Sequence, residues 1–329
     1  MNRPSASLLA ACACALAAAG FFAACHGDGN TPGGTRSYAF KAEAAAWKHF
    51  SGERAMANVA TSVAFGTRPP GSAALEQTRQ FIEKRLGEAG WVVQRQTFVD
   101  PTPVGDIAFA NVRARFPSEG GGDTWARPIR AVVGGHYDTK LMPGIEFVGA
   151  NDAGSSTGGL LEIARAAAQN PAFARQLEIV FFDGEEAFVS YTAEDGLFGS
   201  RHYTRMLRRM DAAQRPAFGI IIDMIADQDL NVTVPTNVDR GLAAGLFAAA
   251  SELGTREYFT NYGREILDDH VPLAGAGLRV FNVIDMDFKP WHTAGDTMDS
   301  ISAESLHIAG QAALLLIEKY AVAGEKPGA

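Results

Sequence analysis

The chain is 329 residues long with 47% hydrophobic content, enough to bury a full core, and no internal repeat or interior shift in composition marks a second folded domain. Its formal charge of -8 and isoelectric point near 5.4 exclude a protein built to grip a phosphate backbone, so nucleic acid is not an expected partner. All three cysteines, Cys12, Cys14 and Cys25, lie at the N-terminal end, which excludes a disulfide framework across the rest of the chain.

Arg3 precedes the alanine- and leucine-rich stretch from Ala6 to Ala24, whose length and small residues fit an export signal, residues 1–24, better than a membrane span. It closes on Phe22-Ala23-Ala24-Cys25, similar to a bacterial lipobox although leucine is usual at the first position. Cys25 is therefore expected to carry a lipid and to anchor an exported protein at the cell envelope or in the periplasm. An ordinary secretory signal, with the cysteines as small apolar residues, is the alternative. Residues 25–37 are rich in glycine, proline and polar side chains and read as a flexible tether. A single catalytic domain over 38–322 and a tail over 323–329 follow.

Apolar residues at helical spacing from Glu76 to Leu86, closed by Gly87 and Gly90, give way to a strand from Trp91 to Val99. The run Gly120-Gly121-Gly122 is an exposed turn and not a phosphate loop, because no Gly-Lys-Ser/Thr element opening a helix follows it. An apolar strand from Ile129 then ends in His136, with Asp138 two residues on and on the same side of an extended chain. A ligating imidazole usually gives its other ring proton to a carboxylate, so Asp138 is expected to orient His136. Next, Asp152 sits among small residues, from Gly149 to Gly154, just ahead of a helical pattern from Thr157 to Ala168.

A buried-type strand from Gln176 to Phe182 leads directly into Asp183-Gly184-Glu185-Glu186, carrying three carboxylates to its C-terminal edge, where open α/β sheets bind ligands. The basic run from Arg201 to Arg209 is a solvated helix face. Further strands are expected from Phe218 to Asp223, continuing to Ile225, from Leu230 to Val234 and from Arg279 to Ile284. Long apolar faces mark covering helices from Val238 to Leu253 and from Ser302 to Tyr320, and between them Pro290-Trp291-His292-Thr293 supplies a late histidine beside an aromatic ring. The layout predicts a three-layer α/β/α sandwich around a mixed, mostly parallel sheet.

Two histidines, His136 and His292, and three carboxylates, Asp152, Glu186 and Asp223, thus fall at strand ends or in loops. Neutral imidazole and carboxylate oxygen are zinc's usual partners outside cysteine sites, and the five could serve two ions if one carboxylate bridges. Each alone has a structural explanation, such as an aspartate capping the next helix; recurrence at several strand ends is what points to a metal. The adjacent Glu185 and Glu186 repel, so that one is held as an anion by a cation while the other is free to carry protons.

The segment from Phe181 to His202, FFDGEEAFVSYTAEDGLFGSRH, resembles the signature of animal-type glutaminyl-peptide cyclotransferases, which share a fold with zinc aminopeptidases. Further similar segments lie in order along the chain: FGTRPPGS at Phe65, GGHYDTK at Gly134, VGANDAG at Val148, ILDDHVPL at Ile266 and PWHT at Pro290. The resemblance implies a zinc aminopeptidase-like fold, with Asp152, Glu186 and His292 as zinc ligands and Glu185 as proton shuttle. It implies that His136 and Asp223 correspond to the remaining ligands of a second zinc in the aminopeptidases, whereas the cyclases use one ion. Asp268 then belongs to a catalytic hydrogen-bond network behind the site and Trp291 to an aromatic wall. The chain departs from the animal pattern at Tyr191, where a tryptophan is expected, and at Asn282, where a histidine is expected; both fall to the substrate pocket.

Two chemistries follow from one residue set. A cyclase would turn the N-terminal glutamine of peptides or proteins into pyroglutamate with loss of ammonia, Glu185 moving the proton and Asp223 and Asp268 holding the amine or leaving group. A two-zinc aminopeptidase would instead activate water and cut the first peptide bond. A third reading, an inactive lipid-anchored peptide-binding protein, gives no reason for the presence of Glu185.

Overall fold

Side chains of the central strands alternate between two apolar layers, and that alternation builds the architecture. The computed structural model describes residues 38–192 and 194–327. The strands in chain order are β1 (Val92–Thr102), β2 (Gly105–Arg115), β3 (Ala131–His136), β4 (Leu177–Phe182), β5 (Phe218–Asp223), β6 (Val232–Val234), β7 (Phe259–Asn261) and β8 (Arg279–Ile284). The helices are α1 (Gly52–Val63), α2 (Ala73–Glu88), α3 (Gly154–Ala167), α4 (Pro171–Ala174), α5 (Phe198–Arg209), α6 (Arg240–Glu252), α7 (His270–Gly275) and α8 (Ala303–Leu315). Serine or aspartate side chains cap the first turns of α1, α2, α6 and α8, as helix starts require.

The central sheet runs β1-β2-β4-β3-β5-β8. The β1–β2 hairpin joins antiparallel to β4, and β4, β3, β5 and β8 are mutually parallel. Every residue of β3, β4 and β5 is buried, as expected of parallel strands covered on both faces. Val133, Ile179, Phe181, Ile220 and Phe281 pack into the larger core, beneath α1, α3, α6 and α8. Their neighbours Val132, Val180, Phe182, Ile221 and Val280 face the opposite way, onto Tyr203 and Leu207 of α5 and Leu273 of α7. The result is the three-layer sandwich with a mixed, mostly parallel sheet.

Four elements differ from the sequence-based expectation. Strand β5 stops at Asp223 and not at Ile225, because Met224 takes a left-handed backbone (φ 46°) that no strand can continue through. The segment expected as a strand over 230–234 is regular only at β6, and it pairs with β7 in a separate two-stranded sheet. Helix α3 begins at Gly154 and not at Thr157, since Gly154, Ser155 and Ser156 are small enough to be buried in its first turn. The helix expected from Ser302 to Tyr320 widens into π geometry over Leu316–Val322, where the buried Glu318 accepts hydrogen bonds from Tyr38 Oη (2.6 Å) and the Ala46 amide (2.8 Å). The predicted export signal, Cys25 and the tether lie outside the described residues. Among the described residues no helix is long and apolar enough to cross a membrane.

Candidate metal centre and active site

Parallel strands bring their C-terminal ends together, so residues far apart in sequence meet at one edge. His136 ends β3 opposite Phe182 of β4, and Asp223 ends β5 opposite Ile284 of β8. Helix α3 links β3 to β4 on one side, and the chain then crosses back to β5 on the other, so the order of strands reverses here.

Asp152 stands between the two histidines. His136 Nε2 lies 3.2 Å from Asp152 Oδ1 and 3.2 Å from Asp223 Oδ1, while His292 Nε2 lies 3.3 Å from Asp152 Oδ2 and 3.0 Å from Glu186 Oε1. Two sets of potential ligands result, His136–Asp152–Asp223 and Asp152–Glu186–His292, each with donor atoms within 4.8 Å of one another. Backbone geometry contributes directly. His292 is itself left-handed (φ 53°), as is Met224 (φ 46°), and both line the same cleft. Non-glycine residues in this region are uncommon and cluster at functional sites.

The loop bearing Asp152 is held from several sides. A Cβ at Gly149 (φ 52°) would sit 1.9 Å from the Asp152 carbonyl oxygen, so only glycine allows this turn. Asp296 accepts hydrogen bonds from the amides of Asn151 (2.7 Å) and Asp152 (3.0 Å). Asn151 Oδ1 in turn accepts from the Ala226 amide at 2.9 Å, tying the loop to the chain beyond β5. Arg68, fully buried, donates to the carbonyls of Val148 (2.7 Å) and Gly149 (3.0 Å).

Asp138 departs from its expected role. Its nearest oxygen is 3.7 Å from His136 Nδ1, too far for a hydrogen bond, and its two oxygens accept instead from the amides of Glu185 (3.1 Å) and Glu186 (3.3 Å). It therefore fixes the backbone that presents the paired glutamates. Lys140 Nζ reaches the Ala187 carbonyl (2.8 Å) and Glu186 Oε2 (3.3 Å). Tyr191 Oη donates toward Glu185 Oε2 (2.9 Å) and Glu186 Oε2 (3.1 Å).

Asn282 also departs from expectation. It points from β8 into the protein, fully buried and outside the cleft lining, and its Nδ2 donates to Asp268 Oδ2 at 2.6 Å. Its place in the middle of β8, the strand at the sheet's edge, makes it a support for Asp268, which does line the cleft. Trp291 and Tyr191 are in the lining, with the Trp291 ring stacked on His292 at 4.3 Å between centroids.

The cleft is about 220 Å³, small beside the roughly 300–1,000 Å³ of ordinary ligand pockets. That suits one side chain with its backbone. Asp152, Glu185, Glu186, Asp223, Glu265 and Asp268 line it against a single histidine, with no lysine or arginine among the described lining residues. Burial raises Glu185 well above the usual carboxylate range; His136 opposes this, while Glu186 and Asp268 add to it. Asp223 is pushed up to about 7, chiefly by burial and against the pull of His136. His292 rises to about 9 despite its burial, because Asp152 and Glu186 favour the imidazolium. Burial is the first cause at the two carboxylates and the neighbouring anions are the cause at His292, and both make these groups hold protons more tightly.

Sequence reasoning did not single out Lys140, Arg68, Asp195, Met224, Glu265 or Asp296. A weak signal existed for Lys140, two residues beyond Asp138 in a motif already chosen. None existed for Asp296, whose acceptors serve amides far away in sequence.

Residues 111–317 match peptidase family M28. Glutaminyl-peptide cyclotransferase of Bos taurus is 31% identical over 278 residues, spanning 73% of this chain and 74% of that protein. Among solved structures, an Acidobacteriales bacterium glutaminyl cyclase superposes with a TM-score of 0.74 at 30% identity, over 83% of this chain and 95% of that one. A Zn-dependent exopeptidase from Parabacteroides distasonis does so with a TM-score of 0.69 at 28% identity, over 82% and 98%.

Proposed function

The chain belongs to peptidase family M28 and, within it, to the glutaminyl-peptide cyclotransferases, and from that membership we propose that it converts the N-terminal glutamine of peptides and proteins to pyroglutamate with release of ammonia, using one zinc ion. The observation that carries this reading is positional. Asp152, Glu186 and His292 line the cleft together beside Glu185, whereas His136 is only 1% exposed and lies outside the lining.

The donor set suits zinc: one imidazole nitrogen and two carboxylates, with Asp152 Oδ2 buried and accepting no hydrogen bond. The chemistry that zinc supplies when bound is polarisation of the substrate's γ-amide carbonyl. The protein's own groups do the rest. Glu185 accepts a proton from the α-amine as that nitrogen attacks the side-chain amide carbonyl carbon, Cδ, then returns it to the departing amide nitrogen, so that a C–N bond forms, another breaks and ammonia leaves. Asp223 and Asp268, both facing the cleft, hold the amine and the leaving group. Ile266, Ile284 and Trp291 give the cleft an apolar wall that limits entry of competing water.

One observation favours a second reading. The His136–Asp152–Asp223 set shares Asp152 with the first, the arrangement that a two-zinc aminopeptidase needs. Mass spectrometry of a Gln-initiated peptide incubated with the purified, zinc-loaded protein separates the two. Loss of ammonia supports the cyclase; release of the first residue replaces it with the peptidase. We also place the enzyme at the cell envelope, on the strength of the lipobox-like run before Cys25. Absence of labelled fatty acid from the protein expressed in a bacterium, and of any loss of label in Cys25→Ser, would remove the anchor.

A further inference from the structure

The loop from Ala187 to Gly196 is organised around a single ring. The Asp195 carboxylate accepts hydrogen bonds from the amides of Phe188 (2.8 Å), Val189 (2.8 Å) and Ser190 (3.1 Å), and its carbonyl accepts from Thr192 N at 3.0 Å. Gly196 is left-handed (φ 94°), and a Cβ there would lie 2.7 Å from Tyr191 Cδ1, so the ring rests against backbone that only glycine provides. Lys140 Nζ stands 5.4 Å from the ring centre on its way to the Ala187 carbonyl. These contacts fix where the Tyr191 hydroxyl lies: 2.9 Å from Glu185 Oε2 and 3.1 Å from Glu186 Oε2.

We propose that Tyr191 is a positioning residue for the proton carrier, its hydroxyl tying Oε2 of Glu185 to Oε2 of Glu186 so that Oε1 of Glu185 is the oxygen left to exchange protons with substrate. Glu185 Oε1 receives no hydrogen bond from the described residues. The same tie leaves Glu186 Oε1 beside His292 Nε2, at 3.0 Å, as the oxygen available to a metal. A wall residue would need only the ring. The hydroxyl adds something a bare ring cannot, a hydrogen-bond donor to the carboxylate. It donates to Oε2 of Glu185 while that group is an anion and, because the proton is taken on Oε1, goes on donating to Oε2 once Glu185 is protonated. The carboxyl group is thereby held through both halves of the transfer. The identity of the reaction, though not the contact, rests on the cyclase reading.

The test is Tyr191→Phe, which keeps the ring and removes one oxygen, in the full-length, zinc-loaded enzyme acting on a Gln-initiated peptide. The expected result is a fall in kcat of about 10- to 100-fold, the worth of a hydrogen bond to a charged group, with KM changed by less than about threefold and zinc per chain unchanged. A kcat within about twofold of wild type overturns the proposal. So does a loss carried wholly by KM, which would make Tyr191 a substrate wall, or a loss of zinc, which would make it a support for Glu186. If the wild type releases free amino acid and no ammonia, the cyclase reading fails; the same split of kcat against KM, read on hydrolysis, still decides the role of Tyr191, since Glu185 carries the proton in either reaction.

Discussion

Strand β4 carries buried acids at both ends, and the two ends solve the problem of buried charge in opposite ways. Near its start, Glu178 is fully buried and accepts from Arg113 Nε (2.7 Å), Arg115 Nε (2.5 Å) and Tyr203 Oη (3.2 Å). Burial there would raise its pKa, but the two guanidinium groups win and hold it below the usual range. Beyond its C-terminal edge, Glu185 and Glu186 share a cleft with four further carboxylates, and the only cationic groups they meet among the described residues are Lys140, through Glu186 Oε2, and the histidines. Charge balance at the first end is complete within the chain. At the second it is not, and such a deficit is stable only with a bound cation or bound protons. A buried carboxylate that is fully paired therefore marks structure, whereas a group of them left unpaired at a sheet's C-terminal edge marks chemistry.

The largest expected effect is at the unbalanced end. Glu185→Gln removes the proposed proton carrier without touching a proposed ligand, and should lower kcat by about 10²- to 10⁴-fold, with zinc content and melting temperature unchanged. Steady-state kinetics and elemental analysis on one preparation check this; activity within about tenfold of wild type would take Glu185 out of the mechanism. At the balanced end, Glu178→Ala leaves Arg113 and Arg115 buried without their carboxylate and should cost about 3–5 kcal/mol of stability in urea unfolding. Zinc affinity should not change. If zinc binding weakened while stability held, the two ends would not be the separate systems described here.

Removing zinc should expose the contrast as pH dependence. Asp223, raised to about 7, binds its proton more tightly folded than unfolded, so the stability it contributes declines as pH rises from its unfolded value near 4 through 7. His292, raised to about 9, contributes stability that is full below its unfolded value near 6.5 and lost as pH climbs through 9. Glu178 has the opposite sign: its depressed pKa contributes stability above its unfolded value, which is lost as pH falls through the folded one. The zinc-free protein should therefore weaken steadily from about pH 4 to 9, with the zinc-bound form much flatter. Chemical unfolding of both forms across that range decides it, and parallel curves would count against a charge-deficient cleft. The smallest expected effect is in Glu186→Gln. Without zinc it should unfold within about 1 kcal/mol of wild type, since it relieves repulsion while losing the Lys140 contact, yet it should bind zinc poorly. A loss comparable to that of Glu178→Ala would show that Glu186 is structurally paired.

Much of the site was readable because parallel strands announce their ends: an apolar run followed by His136, by Glu185 and Glu186, or by Asp223 states both the strand and what it presents. Asp152 and His292 were readable as side chains of the right chemistry near such ends. Their mutual distances were not, being set by sheet order. Asp138 was misplaced because period two puts it on the side of His136 but does not say that two amides from the loop after β4 will claim its oxygens. Asn282 was misplaced for the complementary reason: its strand was correct, but burial of its position behind Asp268 depends on α7 and the sheet together. Strand β6 was found as an element and not as a member of a second sheet, since pairing partners leave no local trace. Met224 and His292, whose left-handed backbones shape the cleft, carry no sequence signal because neither is the glycine or asparagine that usually marks such a turn.

We propose that the cleft takes one divalent cation at Asp152, Glu186 and His292, with His136 held between Asp152 and Asp223. Elemental analysis of the purified wild type, run beside His136→Ala, tests it most directly. About one zinc per chain in the wild type, mostly retained in the variant, is the predicted result. Two tightly held zinc ions in the wild type, falling toward one when His136 is removed, would contradict it.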